Sequence, residues 1–123
     1  MKRAFILIEI LVVILIMGIL STIALPLYFK TRQNTYDKEA WATLKMVKSA
    51  EKMRQIETTQ YIACNGNTDC GQKLNLDLPV SSGWDYSVTV SGGFCAKAIG
   101  NRGTGNWHID MNSEEAESGE SCF

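Results

Sequence analysis

From Ile10 to Phe29 the chain runs 20 residues without a charge, and Glu9 is the one charged residue between Phe5 and Phe29. About 20 apolar residues cross the hydrocarbon core of a bilayer as an α-helix. Met1-Lys2-Arg3 ahead of the run is short and basic, as expected of an end left in the cytoplasm. This block holds much of the 46% apolar content of a 123-residue chain. What remains is a small, polar, Gly-containing module of one-domain size with four cysteines. A net charge of −1 gives no support to a dedicated nucleic-acid binder. A single histidine, His108, excludes His-rich metal sites and disfavours His-based catalysis.

A simple reading of the block is a secretory signal peptide cut after Thr22-Ile23-Ala24. Two features oppose it. The run exceeds the usual signal core of about 7–15 residues. Glu9 also places a carboxylate inside apolar sequence, which costs several kcal/mol in hydrocarbon unless it is paired or neutralised. Nothing basic lies within a turn or two on its C-terminal side. A partner must come from the chain's own N-terminus or from another molecule, or else Glu9 snorkels to the nearby interface.

The segment Lys2-Arg3-Ala4-Phe5-Ile6-Leu7-Ile8-Glu9-Ile10-Leu11-Val12-Val13-Ile14, continuing to Ala24-Leu25-Pro26, resembles the N-terminus of bacterial type IV pilins and type II secretion pseudopilins. The resemblance covers roughly the first 30 residues. It joins a short basic leader, a Phe at the cleavage point, a Glu five residues into the mature chain, Gly18 and Pro26. It implies that a prepilin peptidase cuts between Ala4 and Phe5 and methylates the new amine. Ala4 departs from the family's usual Gly, and Ile6 from a common Thr. It also implies that the Phe5 amine of one subunit meets Glu9 of a neighbour in a growing filament. Two costly groups then cancel each other, and the pair fixes axial register more than it adds net stability.

Gly18 and Pro26 mark the weakest stretch of this helix. An interior Pro loses a hydrogen bond and clashes with the preceding turn, at about 3 kcal/mol. Ser21 and Thr22 offer other hydrogen bonds to freed carbonyls. In the family's filaments the matching segment is commonly unwound. The expectation is a helix kept in lipid, with at most a bend at Pro26, and a kink or melted stretch once assembled.

Between Lys30 and Glu57 there is no Pro and no Gly, and Ala, Leu, Lys, Glu, Met and Gln favour helix. Tyr36, Ala40, Thr43, Leu44, Val47 and Ala50 fall on one face, flanked by Met46 and Met53. Lys38, Lys45 and Lys52 recur every seven residues on the other side, joined by Lys48. A helix from Phe5 to Glu57 measures about 80 Å, too long for this chain to bury as a globule. Its first half therefore belongs in lipid or among other subunits. The lysine ridge reads as a solvated face before it reads as a DNA contact. Residues 30–54 carry seven basic and three acidic side chains, and residues 55–123 carry three basic and nine acidic. Glu114, Glu115, Glu117 and Glu120 crowd near the C-terminus. Opposite signs favour packing one subunit's head near another's stem.

After Glu57 the residues are those of turns, with Thr58, Thr59, Asn65, Gly66, Asn67, Thr68, Asp69 and Gly71 marking a loop over 58–83. Trp84, Tyr86, Val88 and Val90 then alternate with polar residues as a half-buried strand. Ser91-Gly92-Gly93 is a turn, Phe94 to Ile99 a second strand, residues 100–105 a longer loop, and Trp107, Ile109 and Met111 a third strand. Three antiparallel strands need cover, and the face of residues 36–53 supplies it; a fourth edge strand has room. The four cysteines allow three pairings. The leader implies an oxidising compartment, and zinc lacks both a C-x-x-C pair and a second His. The favoured pairing is Cys64–Cys70 within the loop and Cys95–Cys122 clipping the tail, the latter similar to the C-terminal disulfide loop of many pilins. No phosphate loop, nucleophile elbow or His-carboxylate motif appears. Asp85 and Asp110 sit on different strands where they could meet, but no calcium loop surrounds them. Trp84 and Trp107 read as core aromatics rather than ligand platforms.

The reading is therefore α+β. A leader (1–4) precedes an apolar helix (5–29). The head (30–123) comprises an amphipathic helix (30–57), a loop (58–83), a three- or four-stranded antiparallel sheet (84–111) and a clipped tail (112–123). By resemblance the chain is a structural, non-enzymatic pilus subunit needing no cofactor or metal. It is held in inner membrane lipid, then assembled as a homo-oligomeric filament at the cell surface by a machinery with a motor ATPase. Its rivals are a type II secretion pseudopilin and a secreted disulfide-bonded binding domain. A mature N-terminus at Phe5 or at Leu25 separates the secreted domain from the other two.

Overall fold

The computed structural model describes residues 2–80, 83–101, 105–119 and 122. Met1 of the leader, Arg102, Gly103 and Thr104 of the longer loop, and Glu120 lie outside the described residues. The chain divides into two units, one ending at Thr35 and one from Tyr36 to Phe123.

The first helix, α1 (Lys2–Thr58), begins ahead of Phe5, because no breaker separates the basic residues from the apolar run. Within the first unit its apolar side chains are exposed, and one stretch is long and apolar enough to cross a membrane. The helix runs through Gly18 and Pro26 without a break, so neither residue ends it in the single chain. Pro26 deprives the Thr22 carbonyl of an N–H partner. Ser21 Oγ and Thr22 Oγ1 do not compensate there: they donate to the carbonyls of Met17 and Ile19, at 2.7 and 2.6 Å. The unbroken turns on either side carry the helix across the defect. It ends at Thr58, followed by Thr59 in the left-handed region at φ 61°, whose N–H still reaches the Gln55 carbonyl at 2.8 Å.

In the second unit, β1 (Cys64–Asn65), α2 (Asn67–Leu74), β2 (Trp84–Val90), β3 (Phe94–Gly100), β4 (Asn106–Asp110) and β5 (Glu117–Ser118) follow α1. The five strands form one sheet in chain order, antiparallel throughout. The expected three or four strands gain two edge pieces of two residues each. The span 58–83, read as loop, contains β1 and α2. The residues taken as turn markers start a helix instead: Gly66, at φ 86°, precedes it, and Asn67-Thr68-Asp69 form its first turn. Cys70 and Leu74, four apart, bury one face of it.

The core joins Ala40, Leu44 and Val47 of α1 to Trp84, Tyr86 and Val88 of β2, with Phe94, Ala96, Ala98 and Ile109 beside them. Tyr36, Thr43 and Ala50 are half-buried. Val90 does not join this face: it ends β2 at the hairpin and is exposed. Met111 lies beyond the end of β4 and is exposed as well.

Candidate functional site

Glu9 lies on α1 four residues after Phe5, so the two share a face one turn apart. They line a shallow hollow with Lys2 and Ile6. Among the described residues Glu9 forms no salt bridge, although Lys2 stands two turns before it. Phe5 is exposed, and Ala4 precedes it within the same helix. A side chain at Gly18 would meet nothing within 4 Å, so no packing inside the single chain calls for glycine there. Among the described residues Glu9 is thus an acid on an exposed apolar stretch of helix with no salt-bridge partner.

The head is fastened covalently at two points. Cys64 bonds Cys70, tying β1 to α2, and Cys95 of β3 bonds Cys122 of the tail. A buried polar knot sits beside the first. The Asn67 amide donates to the carbonyls of Pro79 at 3.0 Å and Trp84 at 2.8 Å, while its Oδ1 accepts the Tyr86 N–H at 2.8 Å. Asn67 is thereby a satisfied interior group, although its sequence neighbourhood is that of a turn.

Sequence reasoning missed Glu51, which is 0% exposed. Its Oε2 accepts the Ile62 N–H at 3.0 Å, while Oε1 is buried with no hydrogen-bond partner. Burial pushes its carboxyl above the ordinary value, opposed by the Ile62 bond and the Arg54 charge. The signal was present, since Glu51 follows Leu44 by seven and Val47 by four on the core face.

Lys48 leaves the ridge of Lys38, Lys45 and Lys52. It is half-buried, and its ammonium donates to the Ser113 carbonyl. Asp110 Oδ1 accepts the backbone N–H groups of Asn112 at 2.8 Å and Ser113 at 2.5 Å. Hydrogen bonds from Ser113, with a smaller share from Asn112 and the Lys48 charge, hold this carboxyl below the usual aspartate value. Asp85 and Asp110 do not meet. Asp85 pairs in register with Ile99 and Asp110 with Cys95, at opposite ends of β3. Among the described residues no cluster of three or more His, Cys, Asp or Glu side chains is placed to hold a metal ion. Trp84 is 1% exposed and belongs to the core, whereas Trp107 is half-buried. Trp107 packs edge-on against Trp41 at 5.0 Å and donates to Asp37 Oδ1 at 3.4 Å.

These features define a class: an exposed, membrane-competent apolar helix carrying one acid, continued into an α+β head closed by two disulfides. Over 94 residues the chain is 29% identical to the type IV major pilin protein PilA of Myxococcus xanthus (strain DK1622). That match covers 76% of this chain and 40% of the relative, so the matched part spans about two fifths of the relative's length. The resemblance to type IV pilins thus covers about three quarters of the chain, and the α+β architecture is consistent with the pilin fold. No family model matches the chain. No solved structure matches it.

Proposed function

We propose that this chain is a structural subunit of a type IV pilus-like filament and has no catalytic role. It is inserted in the inner membrane through residues 5–29, cleaved before Phe5, and assembled through the same helix at the cell surface. The observation that carries this reading is the exposed apolar stretch of α1 with Glu9 as its one acid. In lipid the apolar surface is sheltered; in a filament, neighbouring copies of the helix shelter it equally. Extraction from lipid is then close to an exchange, so a specific contact and external work must bias it. The Phe5 amine freed by cleavage is a suitable counter-charge for the Glu9 of another copy, since each removes the other's cost in an apolar setting.

Glu9→Ala tests this reading. Removing a charge from an apolar segment leaves membrane insertion intact, and membrane fractionation should recover the variant at wild-type level. Surface filaments, sheared and weighed, should fall to background. Normal filament yield from Glu9→Ala would refute the pairing.

A further inference from the structure

The second unit carries a groove of about 560 Å³ between the C-terminal part of α1 and the end of α2. Its apolar lining is Met46, Ala50, Met53, Leu74 and Leu76. Met46 is 50% and Met53 68% exposed, a large apolar exposure for a helix otherwise rich in charge. Thioether side chains of this kind pack adaptably against irregular partners. Lys45, Arg54 and Glu57 line it as well. Among the described residues neither cation forms a salt bridge, and the Arg54 Nε is buried without a hydrogen-bond partner. The groove thus combines an apolar lining with two cations and one acid.

The complementary surface lies on the same molecule. Glu114, Glu115 and Glu117 are exposed, and Ala116 among them is half-buried. This segment cannot fill its own chain's groove. Asp110 and Lys48 hold the turn at Ser113, β5 pairs with β4, and Cys122 is bonded to Cys95. These anchors put it on the flank of α1 where Asp37 and Trp41 meet Trp107. Met46, Ala50 and Met53 line the other flank, beside α2.

We infer that this groove receives the acidic segment 114–117 of a second copy of the chain. The inference rests on the filament reading above and names a contact within it. Lys45 and Arg54 face incoming carboxylates, Ala116 and the exposed Met111 lie against the methionines, and Glu57 repels acidic side chains from its own part of the groove. Groove and segment occupy opposite flanks of one helix, so the contact is heterologous. Each copy offers a free groove on one side and a free segment on the other, which builds an open series rather than a closed dimer.

The test uses the full-length chain in producing cells. A photoreactive amino acid replaces Met46, and this chain is made together with a Ser118→Thr copy, whose tail peptide is heavier by one methylene. Irradiated filaments should yield a cross-link from position 46 to a peptide spanning 114–117 that carries the heavier mark. Cross-links confined to unmarked peptides, to another segment, or to a different protein would overturn the docking. In parallel, Lys45→Glu with Arg54→Glu should lower filament yield by about tenfold or more. Adding Glu114→Lys with Glu115→Lys should restore it, with Trp84 fluorescence confirming a folded head throughout. If the unmodified chain assembles and the reversed chain assembles equally well, the docking is wrong and the filament reading stands. If the unmodified chain forms no filaments, the filament reading fails and the docking falls with it.

Discussion

The two disulfides close loops of very different length, and this sets an order for their contributions. Cys95 and Cys122 are 27 residues apart, Cys64 and Cys70 only 6. If a bridge acts by restricting the unfolded chain, the long loop contributes about 3.6 kcal/mol and the short one about 2.2 kcal/mol. Local packing argues for the reverse order. Cys64 and Cys70 both lie in the hydrophobic cluster, whereas Cys122 is half-buried on the tail. The variants Cys95→Ala/Cys122→Ala and Cys64→Ala/Cys70→Ala, made full-length in detergent micelles, set the two arguments against each other. Trp84, 1% exposed, reports head unfolding by fluorescence while the apolar helix stays intact. For a domain of this size, 1 kcal/mol moves the melting point by about 4–8 °C. Loss of the long loop should therefore lower it by about 15–30 °C, and loss of the short loop by about 9–18 °C. An equal or larger loss from the Cys64–Cys70 variant would refute the entropic ordering and assign the short bridge a packing role.

Further outcomes follow from individual groups. Burial raises the Glu51 carboxyl, so the folded state holds that proton more tightly than the unfolded state. Stability is lost as pH rises from the ordinary glutamate value through the raised folded value. Glu51→Gln should flatten the dependence of the urea midpoint on pH in that window and raise the midpoint at pH 7; an unchanged slope would contradict it. Asp110 has the opposite sign: its depressed value gives stability present above the ordinary aspartate value and lost as pH falls through the folded one. Asp110→Asn should cost about 1–2 kcal/mol at pH 7 by urea titration and reduce the loss on acidification, and a variant as stable as wild type would count against the Ser113 turn as an anchor. Pro26→Ala restores the N–H that the Thr22 carbonyl lacks, so single-filament pulling should show a less extensible fibre; equal extension would place the compliance elsewhere.

The long helix was legible because its causes are local: an uncharged run, then 28 residues free of Pro and Gly between Lys30 and Glu57. The strands β2 and β3 were legible from their period and from Gly92 and Gly93 between them. What was not legible has a common physical origin in contacts distant in sequence. Asn67 looks like a loop residue until its amide is seen bridging Pro79 and Trp84, and α2, at eight residues, is too short to declare itself by periodicity. Lys48 belongs to a ridge by spacing and leaves it for a carbonyl 65 residues away. Val90 and Met111 fit the alternation of their strands but lie at or past strand ends, where the helix no longer covers them. Glu51 sat in plain view on the core face and was passed over because its charge spoke for the surface. At the N-terminus the roles proposed for Glu9 and Phe5 rest on the sequence motif, because the proposed contact is with a second molecule.

The most direct measurement of the central claim is the mass of the N-terminal peptide of protein sheared from the cell surface. The account predicts a chain beginning at Phe5 with a modified amine, recovered from filaments. In the proposed function, that freed amine is the counter-charge that makes Glu9 an assembly contact. A chain beginning at Leu25 would contradict the account, because cleavage there removes Glu9 and the apolar helix with it.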